Sequence, residues 1–277
     1  MIVFPNAKIN IGLDILRRRD DGYHDICTVM YPIGWRDILE VVPSKSGEMT
    51  LTVTGNHVDC PVEKNLVMKA ARLLASVADV PASDIYLHKV IPDGAGMGGG
   101  SADAAFTLIA LNEMYSLGKS REELASLASR LGADCPFFIY NRPLLAEGTG
   151  EKFSEVNIDL GGYGIVVVKP DFAISTAEAY GGVVPAVPES HLADRLSVAP
   201  EKWKDIVGND FVRHLDKKYP LIGEMTAMLY AKGAIYASMT GSGSAVYGIF
   251  EDSDTADMVR SEMEKLPECR KIYSGNL

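Results

Sequence analysis

The segment from Pro92 to Ala105 constrains this chain more than any other: it reads Pro-Asp-Gly-Ala-Gly-Met-Gly-Gly-Gly-Ser-Ala-Asp-Ala-Ala, with five glycines between Gly94 and Gly100. The segment from Ile85 to Ile91 precedes it and reads as a strand. Good helix formers follow, from Ser101 to Tyr115. Glycine loses more conformational freedom on folding than any other residue, so this density is costly. A plain strand-to-helix connection does not need it. Glycines do let several backbone N–H groups converge on one ligand, and the following helix adds its positive end, so polyphosphate is the natural guest. Ser101 is expected to act as helix N-cap or as a phosphate and metal contact.

Two familiar nucleotide loops fit poorly. The Walker A pattern requires Gly-Lys-Ser/Thr, and here Gly99-Gly100-Ser101 carries no lysine. Gly94, Gly96 and Gly99 match G-x-G-x-x-G, but Pro92-Asp93 separates the strand from the first glycine and the loop lies deep in the chain. Both features disfavour a dinucleotide-binding dehydrogenase.

Around this loop, strands are expected over about 2–15 and 37–53, then a helix over 63–77 whose Leu66, Val67, Ala70, Ala71, Leu73, Leu74 and Val77 form one apolar stripe. Ser120-Arg121-Glu122-Glu123 is a capping box opening another helix that Gly132 ends. The pattern weakens at 154–162, and Ile165-Val166-Val167-Val168 begins a second strand-rich unit. Strand, helices, two strands, helix and strand follow in order, so an α+β architecture with domains at 1–155 and 156–277 is expected.

Among 277 residues the formal charge of -10 and a pI near 5.0 argue against a surface built for long nucleic acid. Arg17-Arg18-Arg19 is followed at once by Asp20-Asp21 and reads as a solvated turn. Cys27, Cys60, Cys135 and Cys269 form no C-x-x-C pair, so reduced thiols in a cytoplasm fit best. Neither a signal-peptide core nor a membrane-spanning apolar run is expected.

Three further segments carry chemistry. In Pro5-Asn6-Ala7-Lys8-Ile9-Asn10, strand alternation sends Lys8 and Asn10 to one face. In Leu131-Gly132-Ala133-Asp134-Cys135-Pro136-Phe137-Phe138 a lone carboxylate stands among apolar groups. Phosphoryl transfer to an alcohol calls for such parts, a cation on the transferring oxygens and a carboxylate for the hydroxyl proton. Equally, Lys8 could snorkel to solvent and Asp134 could cap the next segment. Met239-Thr240-Gly241-Ser242-Gly243-Ser244-Ala245 reads as a second glycine turn or as a simple hairpin connection.

In order, these segments resemble the motifs of the GHMP kinase superfamily. Its phosphate loop runs proline, then G-x-G-L-G-G/S-S-S, then a helix, and departs from this chain at Met97 and Ala102. The resemblance implies a two-domain fold, with an N-terminal nucleotide-binding domain and a C-terminal ferredoxin-like α/β sandwich. It implies ATP contacts from Asn65, Lys89, Pro92, Gly94, Gly96, Gly98, Gly99, Gly100 and Ser101, with Mg2+ accompanying the ATP. Asp134 would be general base, and Lys8 would orient it and stabilise developing charge. The Thr240, Gly241 and Gly243 turn is similar to the family's third motif.

Arg18-x-Asp20-x-Gly22-Tyr23-His24 and the Thr176 to Tyr180 segment resemble the branch that phosphorylates a cytidine-diphosphate-linked sugar alcohol. On that basis Asn10, Tyr23, His24, Thr176 and Tyr180 are expected to meet substrate. The reaction implied is ATP-dependent phosphorylation of its 2-hydroxyl, in the non-mevalonate route to isoprenoid precursors. Homoserine kinase is the nearest rival, and a non-catalytic nucleotide sensor the rival of another class. A monomer or weak homodimer in the cytoplasm is expected.

Overall fold

A computed structural model describes residues 1–269 and 271–277. The elements run β1 (Ile2–Val3), β2 (Asn6–Arg18), β3 (His24–Arg36), β4 (Ile38–Pro43), β5 (Thr50–Gly55), α1 (Leu66–Ala75), β6 (Ser83–Lys89), α2 (Gly99–Met114), α3 (Arg121–Ser129) and α4 (Cys135–Tyr140). They continue with β7 (Leu144–Gly148), β8 (Lys152–Glu155), β9 (Gly164–Lys169), α5 (Thr176–Gly181), α6 (Leu192–Leu196), α7 (Val212–Lys218), α8 (Leu221–Ala231), β10 (Tyr236–Met239), β11 (Val246–Phe250), α9 (Ser253–Met263) and β12 (Lys271–Asn276). No helix among the described residues is long and apolar enough to cross a membrane.

The chain forms two compact units, and each is assembled from separate stretches: Met1–Ala7, Trp35–Asp93 and Gly98–Arg142 in the first, Lys8–Gly34, Gly94–Met97 and Pro143–Leu277 in the second. The sequence boundary near 155 thus differs from the observed one in two ways. The main crossover falls at Arg142 and Pro143, and the second unit also takes in most of β2 and β3 and four loop residues. Local composition carries no sign of this, because β3, beside which β2 lies, joins the unit by pairing with a strand more than a hundred residues later.

In the first unit the sheet order is β1-β4-β6-β5, with β5 parallel to β6 and the other pairs antiparallel. Alternation builds its core face. Leu39 and Val41 of β4 lie opposite Leu87 and Ile85 of β6, and all four are buried. Continuing that face by one step in each strand reaches Asp37 and Lys89, which are buried too. Helix α1 buries Val67, Ala70, Ala71 and Leu74 of the expected stripe and Met68 beside it, whereas Leu66 and Leu73 are half-buried and Val77 lies beyond its end and is exposed. Helix α2 buries residues on every side, Ala102 to Ala105 and Leu108 among them. Small side chains there permit close approach of neighbours. The capping box at Ser120 and Glu123 is present.

The second unit holds two sheets. One has the order β2-β3-β7-β8. The other is antiparallel, β10-β11-β9-β12, and with its helices gives the βαββαβ order of a ferredoxin-like sandwich. Every residue of β9 is buried, as a central strand requires. Val166 and Val168 pack with Phe211, Leu215, Ile222, Met225, Leu229, Val259 and Met263 from the helices. Pro220 stands at the N-cap of α8, ending α7 rather than kinking a single long helix.

Candidate active site

The glycine loop leaves β6 at Lys89 and enters α2 at Gly99. Gly94, Gly96 and Gly98 all adopt positive φ, at 60°, 73° and 70°, a region that a Cβ makes costly. Helix α2 therefore begins earlier than expected, with Gly98 as N-cap, and Ser101 lies inside its first turn. This corrects the N-cap reading of Ser101. A left-handed Gly98 turns the chain into the helix, and no side chain caps it. The N–H groups of Gly99, Gly100 and Ser101 have no partner within the helix by its geometry, and its first turn carries no acidic residue. Such an end suits an anion. Ser101 instead hydrogen-bonds the thiol of Cys135, a thiol that burial pushes up to about 11.

Lys89 is anchored within the first unit. Its ammonium is paired with Asp37, and with Asp103 at 2.7 Å, all three side chains being nearly inaccessible. Asp37 also accepts the backbone N–H groups of Val90 and Ile91 at 2.6 and 2.8 Å, fixing the exit from β6. Burial lowers the Lys89 pKa but the two carboxylates outweigh it, so the net shift is upward. Burial is also the largest influence on Asp103, raised to about 7 against the pull of Lys89. One ammonium thus serves two buried carboxylates, and burial biases Asp103 toward its protonated form. Lys89, expected at the nucleotide, is placed under the loop, with its ammonium 3.4 Å from where a Gly99 Cβ would stand. Asn65 caps α1, its side chain accepting from Val67 N–H at 2.9 Å.

A second group of expected residues meets in the second unit. As alternation requires, Lys8 and Asn10 share a face of β2, and Lys8 Nζ donates to Asn10 Oδ1 at 2.5 Å and to the Gly96 carbonyl at 2.9 Å. The Lys8 N–H reaches the Met97 carbonyl at 3.0 Å. Thr240 Oγ1 accepts the Asn10 N–H at 3.0 Å and lies 3.3 Å from the Gly96 carbonyl. An added Cβ at Gly96 would stand 2.2 Å from the Thr240 carbonyl oxygen, and one at Gly241 would stand 2.9 Å from the Gly96 oxygen. The N-terminal lysine strand, loop residues 94–97 and the late glycine turn are therefore one packed assembly. Residues that sequence reasoning missed complete it: Thr28 accepts from the Asn10 amide, Asn209 donates to the Met239 and Gly241 carbonyls, and Tyr247 donates to the Asn10 carbonyl.

Asp134 stands at the N-cap position of α4 without making a side-chain cap, so the capping alternative does not describe it. Near the start of β3, His24 stacks on Tyr180 with ring centres 4.8 Å apart, and Phe211 meets Tyr180 edge-on at 4.9 Å. Burial is the main cause that lowers the His24 pKa, with Arg18 adding to it. Tyr23 is 66% exposed, and Thr176 opens α5.

Models of the GHMP kinases N terminal domain and the GHMP kinases C terminal domain match residues 65–142 and 202–268. A Parabacteroides distasonis protein called 4-diphosphocytidyl-2-C-methyl-D-erythritol kinase is 49% identical over 91% of this chain and 92% of its own. A Bacteroides fragilis protein of the same name is 46% identical over 92% and 93%. The crystal structure of a 4-(cytidine 5'-diphospho)-2C-methyl-D-erythritol kinase superposes with a TM-score of 0.85 at 31% identity, covering 99% of this chain and 98% of that one. Methanococcus jannaschii mevalonate kinase, at 14% identity and a TM-score of 0.68, shares the fold. The chain belongs to the GHMP kinases, in the family of the 4-diphosphocytidyl-2-C-methyl-D-erythritol kinases.

Proposed function

We propose that this protein transfers the terminal phosphoryl group of ATP to the 2-hydroxyl of 4-diphosphocytidyl-2-C-methyl-D-erythritol, in the non-mevalonate route to isoprenoid precursors. The observation that carries this reading is the joining of Lys8, Asn10, Gly96 and Thr240, from three distant motifs, into one hydrogen-bonded group. ATP would supply the phosphoryl group, and Mg2+ bound with it, with Ser101 as a candidate contact, would neutralise charge on its oxygens. The unpaired N–H groups of Gly99, Gly100 and Ser101 suit those phosphates, and the buried ion triad beneath holds the loop at its exit from β6.

Within this reading Asp134 accepts the proton of the substrate hydroxyl, which makes the oxygen a better nucleophile. Lys8, fixed by Asn10 and Gly96, places positive charge where the oxygens gain negative charge. Tyr23 and Tyr180 supply aromatic faces for cytosine, and His24, held toward its neutral form, offers a hydrogen bond to the base edge. Asn10, Thr176, Thr240, Gly241 and Gly243 serve the alcohol end, with Asn65, Pro92 and Gly94 beside the nucleotide. The protein acts in the cytoplasm as a monomer or weak homodimer. Coupled ADP release decides the substrate. Turnover with the cytidyl substrate and none with homoserine or mevalonate is expected. Turnover with homoserine alone would replace this reading.

A further inference from the structure

Strands β3 and β7 place Cys27 and Glu147 directly opposite one another in antiparallel register, so both side chains rise from one face. His191, the residue before α6, comes down on that face. Its Nε2 lies 3.7 Å from Cys27 Sγ and 3.4 Å from Glu147 Oε1. All three donor atoms lie within 4.8 Å of one another. None of the three belongs to the kinase site.

From these positions we infer that Cys27, His191 and Glu147 form a zinc site that fastens α6 to the β3–β7 face. Tetrahedral zinc, with bonds of about 2.3 Å to sulfur and about 2.0–2.2 Å to nitrogen and oxygen, separates S from N by about 3.6 Å and N from O by about 3.4 Å. The observed spacings of 3.7 and 3.4 Å match these edges, leaving a small side-chain turn of Glu147 to close the third. A mixed sulfur, nitrogen and oxygen set favours zinc over magnesium or calcium, which prefer oxygen alone. Three protein ligands leave the fourth position to water.

The surroundings suit coordination. The thiol forms the floor of the group and is buried, whereas His191 and Glu147 side chains are 46% and 42% exposed, so an ion reaches the site from solvent. The backbone of Leu192 hydrogen-bonds Cys27, as backbone groups do around metal-bound sulfur. Leu192 itself is fully buried beside Gly12, which fixes the segment carrying His191. Asp14 pairs with Arg195 next to the group, offsetting that cation's repulsion of an incoming ion. Binding releases the Cys27 proton to solvent and moves the imidazole proton to Nδ1, which gives up the 3.3 Å bond it accepts from Ala193 N–H.

Cobalt(II) titration of the chelator-treated full-length protein tests this. One equivalent should give thiolate-to-cobalt charge-transfer absorption with the intense visible bands of tetrahedral cobalt, and zinc should displace it. Cys27→Ser should abolish the charge-transfer band. His191→Asn changes an exposed residue and keeps a good helix cap, so it tests the ligand without endangering the fold. It should weaken binding at least tenfold, as should Glu147→Gln. Octahedral cobalt spectra in the unmodified protein would overturn the site. So would a charge-transfer band that survives both Cys27→Ser and His191→Asn.

Discussion

Replacing Gly96 by alanine puts the assembly around Lys8 under direct load. The added methyl would stand 2.2 Å from the Thr240 carbonyl oxygen and 3.1 Å from that of Gly243, and both are backbone atoms that cannot swing aside. The residue also holds φ at +73°, which costs an alanine roughly 1–2 kcal/mol. Overpacking against fixed atoms adds about 1–3 kcal/mol, for a total near 2–5 kcal/mol. At roughly 2–4 °C per kcal/mol for a chain approaching this size, the melting temperature would fall by about 4–20 °C if the loop stayed in place. A loop can instead move, and moving it withdraws the carbonyl that Lys8 Nζ holds at 2.9 Å. Misplacement by about 1 Å typically costs a hundredfold in rate. Thermal unfolding and steady-state kinetics on the same preparation should therefore show one loss or the other. Gly100→Ala is the contrast: its Cβ would meet only Leu66 at 3.8 Å, within a helix. That variant should fold as well as the parent, with any rise in KM for ATP reporting the ligand rather than the fold. Wild-type melting and turnover in Gly96→Ala would refute the packing argument.

Lys8→Met should lower kcat by about a hundredfold or more, the usual cost of losing a donor at a developing charge. A change in KM for ATP alone would mean that Lys8 binds ground-state phosphate. Asp103 carries a folded-state pKa near 7, above the value of about 3.9 in an unfolded chain, so its contribution is present at low pH and is lost as pH rises toward 7. Urea midpoints should thus show the stability gap between the parent and Asp103→Asn shrinking from pH 5 to pH 8; a widening gap would reverse the assignment. Cytidyl substrate should exceed its uridyl analogue by roughly ten- to a hundredfold in kcat/KM, because mispaired edge groups are costly. His24→Ala should narrow that ratio, and equal use of both substrates by the unmodified protein would remove the base-edge role.

Alternation made part of the site legible in the sequence. It put Lys8 and Asn10 on one face, and the observed 2.5 Å contact between them follows from it. The same rule, applied to Ile85, Leu87 and Lys89, sends the lysine into the core, where it must find carboxylates. One of them is Asp103, a lone acid among Ala102, Ala104 and Ala105, and only the fold brings the two together. Strand β3 was harder to see because Pro32 and Gly34 interrupt it; its ladder with β7 covers Ile26 to Met30 and so ends before the proline. Asn209 and Tyr247 left no local sign, since each acts through a backbone carbonyl that only the fold brings near. The interleaved units were invisible for the same reason.

Asp134→Asn tests the central claim most directly, because a carboxamide keeps the shape of the carboxylate and removes its capacity to take a proton. With the cytidyl substrate and saturating MgATP, kcat should fall on the order of a hundredfold or more while binding of both substrates stays near that of the parent. A kcat near that of the unmodified protein would contradict the account.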